Sequence, residues 1–317
     1  MAEIVISEFM DETAIREGLA RFDALYDPAL VDRPADLAAA VADARALIVR
    51  NRTLVGPALL ESAARLQCVG RLGVGLDNID LAACKAHGIA VYPATGANDV
   101  AVAEYVVATA MMLLRGAYAS TADVIAGAWP RNRLMGHEIS GKRLGLVGFG
   151  AIARETATRA IALGMSVAAH DPFVEPGDPA WGPVQALSLD DLLVSSDVVS
   201  LHVPLTARTR GLIGAEVLSA MRAGAYLINL ARGGVVDEQA LLDVLKRNGI
   251  AGAALDVFME EPLPADHPFW SLPNVLITTH QGGFCDVYPD LALPTVETNM
   301  RCFLDGQPHR MINVVEH

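Results

Sequence analysis

A glycine-rich turn between an apolar run and a helical pattern constrains this chain more than any other segment. The run Arg143–Val147 is short and largely apolar, as a buried strand is, and the segment Gly148–Ala153 (GFGAIA) follows it directly. A helical pattern then continues as far as Leu163. The segment fits the pattern G-x-G-x-x-G/A in the strand-to-helix context that this motif requires. It predicts a βαβ unit that binds a dinucleotide.

Each small residue of this turn has a physical role. Gly148 permits the tight turn, Gly150 lets the backbone approach a pyrophosphate, and Ala153 lets the helix pack closely against the strand. The N–H groups and the dipole at the helix N-terminus attract the anion. Taken alone, the segment leaves a second interpretation open, which is a glycine turn that binds nothing.

Asp171 supports the first interpretation. It lies at the end of the next predicted strand, Met165–His170, about 20 residues beyond Gly150, where dinucleotide-binding units carry an acidic residue. A carboxylate there accepts hydrogen bonds from the ribose hydroxyls and repels a 2′-phosphate, and no arginine follows in Asp171–Phe173. The prediction is NAD rather than NADP, and an aspartate that only caps a turn is the alternative.

Short apolar runs alternate with helical patterns along the chain, in two blocks. In the first block the predicted strands are Ile4–Ile6, Ala46–Val49 and Cys68–Gly70, with a helical pattern over Pro57–Leu66. Besides Arg143–Val147, the predicted strands of the second block are Met165–His170, Asp197–Leu201, Ala225–Leu230, Gly252–Leu255 and Val275–Thr278. Because strands that alternate with helices form parallel sheets, the sequence predicts an α/β protein with two doubly wound parallel-sheet domains.

Two long helical patterns mark the domain boundaries. The first, Asn98–Arg115, separates the two blocks, and the second, Asp286–Leu304, follows the second block. We therefore predict a discontinuous first domain of residues 1–98 and 285–317, and a second domain of residues 99–284. A helix that is apolar on nearly every side is usually buried, and we expect Asn98–Arg115 to be buried between domains or subunits.

The composition is that of a globular protein and disfavours several partners. Of the 317 residues, 52% are hydrophobic and 19% are charged, so the chain can form a large core. A formal net charge of −13 repels nucleic-acid phosphates and anionic lipids. The longest apolar run, Val100–Leu114, contains Glu104 and is too short to span a bilayer. We expect no nucleic-acid partner and no membrane partner.

The N-terminus and the cysteines indicate the compartment. The opening residues, MAEIVISEFMDE, lack the basic start and the continuous apolar core of a signal peptide. The cysteines are scattered without any CxxC pair, as in a reducing compartment without structural zinc; they are Cys68, Cys84, Cys285 and Cys302. We expect a cytoplasmic protein with no disulfide and no metal site.

Polar side chains follow three predicted strands of the second block. Arg232 comes after Ala225–Leu230, Glu261 comes just past Gly252–Leu255, and His280 comes at the end of the strand after that. Because ligands of open α/β sheets bind beyond the carboxyl ends of the strands, we expect the three groups to serve one ligand. Two glycines directly after Arg232 leave the backbone free to turn there.

These three groups have the properties that chemistry on a hydroxy acid needs. Histidine titrates near neutrality, and a carboxylate against its other ring nitrogen would hold the tautomer and favour the charged form. Such a pair is a general acid for ketone reduction and a base for alcohol oxidation, and arginine binds carboxylates. Taken singly, each group also fits an ordinary surface arginine, a solvated loop acid or a turn histidine.

These segments together closely resemble the D-isomer-specific 2-hydroxyacid dehydrogenases, and the resemblance covers essentially the whole chain. Besides Gly148–Ala153 and Asp171, it is carried by Arg71–Asp80 (RLGVGLDNID), Leu201–Thr206, Asn229–Asp237, Asp256–Pro262 and Thr278–Gly283. Within the family the chain is most similar to the phosphoglycerate dehydrogenase branch, including Gly127–Arg131 and Gly136–Ile139. The resemblance implies a flavodoxin-like substrate domain, a Rossmann NAD domain and a homodimer formed through the NAD domain.

The resemblance also implies residue roles. His280 is the implied acid/base, Glu261 its partner, and Arg232 the group that binds the substrate carboxylate and polarises the C2 oxygen. The N–H groups of Val74 and Gly75 would hold the same carboxylate. The implied NAD contacts are Gly148, Gly150, Ala151 and Ile152 at the pyrophosphate, Asp171 at the ribose, Val203 and Pro204 at the adenosine, and Leu230, Ala231, Arg232, Asp256, His280, Gln281, Gly282 and Gly283 towards the nicotinamide.

Two features depart from parts of the family. Gln281 stands where many relatives have an apolar residue, and no tryptophan follows, so we expect a more polar pocket there. The chain ends soon after the last helical pattern, so we expect no regulatory extension of the kind that longer phosphoglycerate dehydrogenases carry.

Arginines in the first block indicate the substrate class. Arg50 and Arg52 follow the strand Ala46–Val49, and Arg71 opens the substrate loop; guanidinium groups bind oxyanions bidentately. We therefore hypothesise a 2-hydroxy acid with a second anionic group on C3, such as 3-sulfolactate, 3-phosphoglycerate or a malate-like acid. Ile4–Glu12 and Arg50–Thr53 are also similar to the sulfolactate dehydrogenases of this family. The alternative is that these arginines are ordinary surface cations.

Other functions remain open at this stage. A hydroxypyruvate or glyoxylate reductase would use the same three groups on a substrate with one anionic group. An NAD(H)-sensing protein that is not an enzyme, like the corepressors that share this fold, would bind the cofactor without turnover. A formate dehydrogenase is disfavoured, because that reaction expects an amide where Glu261 stands.

Overall fold

A computed structural model describes residues 2–307 and 311 of the chain, with side chains at all of them except 14, 133 and 289. By its internal contacts the chain divides into two compact units, Met1–Asn98 with Cys285–His317, and Asp99–Phe284. Residues 308–310 and 312–317 of the predicted first domain lie outside the described residues. No helix in the described part of the chain is long and apolar enough to cross a membrane.

The first unit is built on a five-stranded parallel sheet. Its strands are β1 (Ile4–Ile6), β2 (Ala24–Tyr26), β3 (Ala46–Val49), β4 (Cys68–Arg71) and β5 (Ala90–Pro93). They lie in the order β2-β1-β3-β4-β5, which is the flavodoxin-like order. Its helices are α1 (Glu12–Gly18), α2 (Pro34–Val41), α3 (Pro57–Leu60), α4 (Leu81–Ala86) and the last helix of the chain, α11 (Tyr288–Leu304).

Helices cover both faces of this sheet, which explains its apolar strands. Every residue of β1 and β3 is buried, as expected of parallel strands that have no solvent-facing side. On one face, α11 lies so close to β4 that a Cβ atom at Gly70 would lie 2.2 Å from the sulfur of Met300. The C-terminal helix is therefore an integral part of the first unit.

The second unit is built on a seven-stranded parallel sheet. Its strands are β6 (Arg143–Val147), β7 (Ser166–His170), β8 (Gln185–Ala186), β9 (Val198–Leu201), β10 (Tyr226–Asn229), β11 (Gly252–Leu255) and β12 (Val275–Ile277). Its helices are α5 (Asp99–Arg115), α6 (Thr121–Ile125), α7 (Ala151–Ala162), α8 (Leu189–Ser195), α9 (Ala215–Ala220) and α10 (Glu238–Lys246). The strand order β12-β11-β10-β9-β6-β7-β8 is the Rossmann order with one added strand.

The predicted fold class is confirmed, while some element boundaries are wrong. The helix predicted over Pro57–Leu66 ends at Leu60, and the chain continues in turns. Ala63 and Leu66 are nevertheless buried, because apolar side chains at this spacing can reach a core without helical hydrogen bonds. The helix predicted from Asp286 begins at Tyr288. Strands β2, β5 and β8 were not predicted; all three lie at sheet edges, where burial is incomplete.

Candidate active site

The carboxyl edge of the seven-stranded sheet positions the candidate residues of the second unit. The register pairs Val147 with Leu201, Leu201 with Asn229, Asn229 with Leu255 and Leu255 with Ile277. The residues that directly follow these strand ends leave the sheet at one edge: Gly148, His202, Leu230, Asp256 and Thr278. Ligands of open α/β sheets bind at this edge, where the strand order reverses between β6 and β9.

The turn after β6 has the conformation that its glycines permit. Gly148 adopts a φ of +93°, and a Cβ atom there would lie 2.6 Å from the carbonyl oxygen of His202. Gly150 is the N-cap residue of α7, where no side chain caps the helix, and a Cβ atom there would meet nothing within 4 Å. Ala153 is fully buried in the core. The N-terminus of α7 is thus open to an anion.

Asp171 follows β7 and lies beside this turn. Its Oδ2 atom accepts a hydrogen bond from the N–H of Phe149 at 2.8 Å, and its Oδ1 atom accepts one from the N–H of Phe173 at 2.9 Å. Because each carboxylate oxygen accepts more than one hydrogen bond, both oxygens can also receive ribose hydroxyls. The residues fit NAD, with the N–H groups of Ala151 and Ile152 available to its pyrophosphate and Asp171 available to its ribose.

The other candidate cofactor residues lie at the same edge. Val203 and Pro204 follow β9, and Leu230 and Ala231 follow β10. A Cβ atom at Gly282 would lie 2.7 Å from the Leu230 side chain, so the segment after β12 approaches the end of β10 closely. This places the candidate nicotinamide residues of two strand ends side by side.

His202, at the end of β9, is not suited to acid–base chemistry. Burial lowers the pKa of its imidazole to about 4, and its Nε2 atom lies 3.0 Å from the Ser200 hydroxyl. At neutral pH the imidazole is therefore uncharged and hydrogen-bonded. His280 is the better acid/base candidate of the two.

His280 lies on a backbone segment that Asp256 holds in place. The N–H of His280 donates to the carbonyl oxygen of Asp256 at 2.8 Å. The N–H groups of Gln281 and Gly282 donate to the two carboxylate oxygens of Asp256, and the Thr278 hydroxyl donates to one of them at 2.6 Å. His280 has a φ of +54°, which is rare for residues other than glycine and asparagine. Such a conformation persists only where the surroundings hold it.

Glu261 and His280 form a hydrogen-bonded pair. The Nδ1 atom of His280 lies 2.7 Å from Oε2 of Glu261, and Oε1 of Glu261 accepts the N–H of Phe258 at 3.0 Å. Because Glu261 engages Nδ1, the Nε2 atom of His280 is the ring nitrogen left to exchange a proton with a ligand. The two side chains are 50% and 37% exposed, so a small molecule can reach them.

The Glu261 carboxyl is ionised at neutral pH. Partial burial by itself would raise its pKa, but the hydrogen bonds from His280 and from Phe258, with the charges of His280 and Arg232, lower the pKa below its ordinary value. A carboxylate in turn favours the protonated form of a neighbouring imidazole. The pair can therefore donate a proton to a carbonyl oxygen and, once deprotonated, accept one from an alcohol.

Arg232 is close enough to this pair for its charge to act on Glu261. It follows β10, whose last residue shapes the turn: Oδ1 of Asn229 accepts the N–H of Ala231 at 3.1 Å, and Nδ2 of Asn229 donates to the carbonyl oxygen of Arg232 at 3.0 Å. The Arg232 guanidinium donates to the carbonyl oxygen of Ala231 at 2.6 Å. The structure thus brings together the three groups that sequence analysis selected from separate strand ends.

In the first unit, Glu8 organises the segment that carries two of the candidate arginines. Its buried carboxylate accepts hydrogen bonds from the N–H groups of Arg50 at 2.8 Å, Arg52 at 3.2 Å and Thr53 at 2.9 Å. Burial by itself would raise the pKa of Glu8, but the hydrogen bonds from Thr53, Arg50 and Arg52 lower it below its ordinary value. A permanent carboxylate therefore fixes the segment after β3.

The two arginines of that segment have different surroundings. The Arg50 guanidinium lies 5.9 Å from the centre of the Phe9 ring, and both residues line a small cavity. Arg52 forms an ion pair with Asp32, and both of these side chains are more than half exposed. An anion that Arg52 binds would therefore compete with the carboxylate of Asp32.

Arg71 ends β4, next to the end of β3. Its guanidinium lies against the following turn, since a Cβ atom at Gly73 would overlap with its Nη1 atom. Burial raises the pKa of the Tyr288 phenol, and the charges of Arg71 and Arg50 act in the opposite direction, so both cations lie near this hydroxyl. Val74 and Gly75 follow in the same turn and are partly exposed.

Sequence reasoning missed the carboxylates that hold these segments. It did not select Glu8, and it selected Asp256 only as a cofactor contact; in the structure the Asp256 carboxylate binds Thr278, Gln281 and Gly282. The signal was an acidic residue one or two positions after an apolar strand, where burial requires hydrogen-bond partners. In the described part of the chain, no cluster of three or more His, Cys, Asp or Glu side chains could hold a metal ion.

Comparison with known proteins assigns the family. Residues 107–282 match the family model of the D-isomer specific 2-hydroxyacid dehydrogenase, NAD binding domain. The chain is 54% identical over 284 residues to the (S)-sulfolactate dehydrogenase of Chromohalobacter salexigens. The aligned residues make up 89% of this chain and 92% of that protein. The chain belongs to the D-isomer-specific 2-hydroxyacid dehydrogenase family. The predicted family and the predicted cofactor, NAD, are confirmed.

Two further relatives place this dehydrogenase within the family. The chain is 41% identical to the chloroplastic D-3-phosphoglycerate dehydrogenase 2 of Arabidopsis thaliana over 88% of its own length, but it spans only 45% of that longer protein. The D-lactate dehydrogenase of Aquifex aeolicus, solved with NAD and lactic acid, is 26% identical with a TM-score of 0.84 and covers 99% of both chains. This dehydrogenase is an NAD-dependent oxidoreductase that interconverts a 2-hydroxy acid and its 2-keto acid.

Proposed function

We propose that this dehydrogenase acts on a 2-hydroxy acid with a second anionic group on C3, with 3-sulfolactate as the first candidate and 3-phosphoglycerate as the second. The observation that carries the proposal is the 54% identity with a sulfolactate dehydrogenase over nine-tenths of both chains. The positions of Arg50 and Arg71 near the Tyr288 phenol support it, because guanidinium and phenol donors suit a sulfonate or phosphate.

In the proposed mechanism, His280 exchanges the proton of the C2 oxygen. Bound NAD supplies the hydride acceptor for the C2 hydrogen in oxidation, and its reduced form supplies the hydride in reduction. In oxidation, Nε2 of neutral His280 takes the hydroxyl proton, and the Glu261 carboxylate stabilises the imidazolium that forms. In reduction, the imidazolium returns the proton to the carbonyl oxygen.

The substrate carboxylate is assigned to Arg232 and to the N–H groups of Val74 and Gly75. Arg232 also polarises the C2 oxygen, since a guanidinium placed near it stabilises negative charge there. The second anionic group is assigned to Arg50, with Arg71 nearby in the same unit. Arg52 is proposed as a further contact, although its ion pair with Asp32 favours a weaker contribution. The unit Asp99–Phe284 is assigned to NAD binding, and the unit Met1–Asn98 with Cys285–His317 is assigned to substrate binding.

The stereochemical descriptors of the candidate substrates agree with a D-specific family. In lactate the carboxylate ranks above the methyl group, so the D isomer is R. In 3-sulfolactate the sulfur on C3 makes the sulfonated carbon outrank the carboxylate, so the same spatial arrangement is S. The proposed substrate (S)-3-sulfolactate thus presents its C2 hydrogen in the same arrangement as a D-hydroxy acid.

A substrate panel tests the proposed specificity. Each charge-assisted hydrogen bond contributes roughly 1.5–3 kcal/mol, so we expect kcat/KM for (S)-3-sulfolactate or 3-phosphoglycerate to exceed that for D-lactate by about 10²-fold or more. The measurement is NADH formation with these acids, and NADH consumption with sulfopyruvate, phosphohydroxypyruvate, hydroxypyruvate and glyoxylate. Equal turnover of D-lactate, or a preference for hydroxypyruvate or glyoxylate, would contradict the proposal.

Variants of the two neighbouring arginines serve as the matched pair for this test. Arg50→Gln is expected to lower kcat/KM for the doubly anionic substrates by about 10- to 100-fold and to leave D-lactate turnover nearly unchanged. Arg52→Gln is expected to have a smaller effect, because Asp32 already neutralises this guanidinium. A uniform loss on all substrates would indicate a structural defect instead.

We propose that the protein forms a homodimer through its NAD-binding unit. The segment after α5 exposes large apolar side chains, including Tyr118, Ile125, Trp129 and Met135, each more than 80% exposed. Such a patch is unusual on a monomer. A second copy of this chain is the occupant that the family resemblance implies. Light scattering is expected to give twice the 33.5 kDa chain mass, and a monomer at micromolar concentration would overturn the proposal.

We also propose that the protein is cytoplasmic. Cys68, Cys84, Cys285 and Cys302 all carry free thiols, which is typical of proteins from a reducing compartment. Small 2-hydroxy and 2-keto acids are the proposed partners, and neither nucleic acid nor membrane is proposed.

A further inference from the structure

Two carboxylates hold two successive N–H groups of the loop that precedes Glu261. The N–H of Phe258 donates to Oε1 of Glu261 at 3.0 Å, and the N–H of Met259 donates to Oε1 of Glu238 at 2.6 Å. Glu238 belongs to the first turn of α10, a different element from the loop that it holds. The conformation of the loop therefore depends on a side chain that is distant from Glu261 in the sequence.

The same peptide also contacts the turn that follows Arg232. A Cβ atom at Gly233 would lie 2.0 Å from the carbonyl carbon of Phe258 and 2.5 Å from the nitrogen of Met259. The backbone of Gly233 thus lies directly against the Phe258–Met259 peptide, and only glycine permits this approach. A shift of that peptide would displace the backbone next to Arg232 as well as the hydrogen bond to Glu261.

His267 faces the other oxygen of Glu238. The Nδ1 atom of His267 accepts the N–H of Phe269 at 3.3 Å, so the proton of the neutral imidazole lies on Nε2. That Nε2 atom is 3.8 Å from Oε2 of Glu238, and the two side chains are only 20% and 19% exposed. Glu238 thus lies between His267 and Met259 and directs its Oε1 atom to the Met259 N–H.

We propose that Glu238 is a positioning residue for the reaction, acting through the Phe258–Met259 peptide on Glu261 and on the turn of Arg232. In the described hydrogen bonds and ion pairs it contacts none of the proposed reacting groups, so its effect is transmitted by backbone position. Displacing a catalytic group by about 1 Å costs on the order of 10²-fold in rate, which makes a well-fixed loop necessary. The proposal rests on the roles proposed above for Glu261 and His280.

The test compares Glu238→Ala with Glu238→Gln and with Asp237→Ala. Glu238→Ala is expected to lower kcat by about 10-fold, within the range that small displacements produce, and to leave KM for NADH unchanged. It should also move the upper pH limit of ketone reduction to lower pH, in the direction of Glu261→Gln. Glu238→Gln keeps an oxygen acceptor for Met259 and is expected to restore most of the activity and the pH profile.

Asp237→Ala is the matched control for a purely structural effect. Asp237 caps the same helix by accepting the N–H of Ala240 at 3.0 Å, but it does not contact the loop in any described hydrogen bond or ion pair. Its replacement is expected to lower the Tm while the pH profile stays that of the wild type. If Glu238→Ala lowers only the Tm in the same way, the positioning role is wrong.

A double-mutant cycle with Glu261→Gln completes the test. If Glu238 acts in part through Glu261, Glu238→Ala should cost less in kcat in the Glu261→Gln background than in the wild type, because residues that act as a unit are not additive. Full additivity, or a Glu238→Gln variant as impaired as Glu238→Ala, would overturn the proposal. If Glu261→Gln itself leaves the pH profile unchanged, the role proposed for Glu261 has failed instead.

Discussion

Replacing His280 by asparagine is expected to lower kcat in both directions by about 10²- to 10⁴-fold, the range that a general acid or base contributes. Asparagine has no group that titrates near neutrality, so the C2 oxygen would exchange its proton with water. Asparagine also tolerates the left-handed backbone conformation of His280, which has a φ of +54°. The variant therefore removes the imidazole without adding backbone strain.

Steady-state kinetics with NADH and the best 2-keto acid measure this effect. The Kd for NADH, from fluorescence quenching, is expected to change less than about threefold, which is about 0.6 kcal/mol, since Gly150 and Asp171 are untouched. His87→Asn, at an exposed helix end of the first unit, is the control and should keep wild-type activity. A loss of less than about tenfold in His280→Asn would contradict the assigned role.

Replacing Glu261 by glutamine is expected to change the pH dependence of the two directions differently. In the wild type, the ionised Glu261 favours the protonated imidazole, as an opposite charge at hydrogen-bond distance does. Without that charge no carboxylate at hydrogen-bond distance stabilises the imidazolium. Reduction requires the protonated imidazole, so its upper pH limit should fall. Oxidation requires the neutral imidazole, so its onset should move to lower pH as well.

The lowered pKa of Glu261 sets the pH below which this carboxylate no longer stabilises the imidazolium. The pKa of Glu261 lies below its ordinary value, so in the wild type Glu261 keeps its negative charge at neutral pH and loses it only as the pH falls through that lowered pKa. Glutamine keeps the size of the side chain and an oxygen for the Phe258 N–H. It lacks the negative charge that stabilises and orients the imidazolium, so kcat at neutral pH should fall by about 10- to 100-fold.

Profiles of kcat against pH in both directions measure the change. Glu260→Gln is the matched control. Glu260 is exposed, and its substitution removes the same charge one position away from Glu261. A Glu261→Gln profile that superimposes on the wild type would show that the imidazole does not depend on this carboxylate. A shift of equal size in Glu260→Gln would indicate a general electrostatic effect of the loop.

Most of the fold followed from local patterns. Short apolar runs such as Ala46–Val49 and Gly252–Leu255 are buried on both faces of parallel sheets, so they carry no polar alternation and are visible in the sequence. The elements that were missed lack this signal. Gln185–Ala186 is a two-residue edge strand with both residues exposed, and only its pairing with β7 makes it a strand.

The catalytic candidates were predictable because of a property of parallel sheets. Arg232, Glu261 and His280 follow different strands, but the carboxyl ends of parallel strands meet at one edge. Their order along the chain was therefore sufficient to predict that they come together. The distance of 2.7 Å between His280 and Glu261 could not be predicted, since it depends on the loop that holds each side chain.

The partners of the carboxylates that hold those loops could be found only in the tertiary structure. Glu8 binds the backbone of Arg50, which lies 42 residues away, and Asp256 binds the backbone of Gln281, 25 residues away. Glu238 binds Met259 across 21 residues. A carboxylate that binds backbone N–H groups has no fixed partner residue type, so no sequence pattern marks such a contact.

The sequence by itself determined the fold class, the family and the cofactor, because burial periodicity and the glycine turn are local properties, and strand-end chemistry let it select the candidate reacting side chains. The tertiary structure showed which carboxylate pairs with His280 and which ones hold backbone N–H groups, and it placed Arg52 against Asp32 while Arg50 lies near Tyr288. These distinctions depend on distances between segments remote in the chain, and in an acidic protein they determine where positive charge remains for an anionic substrate.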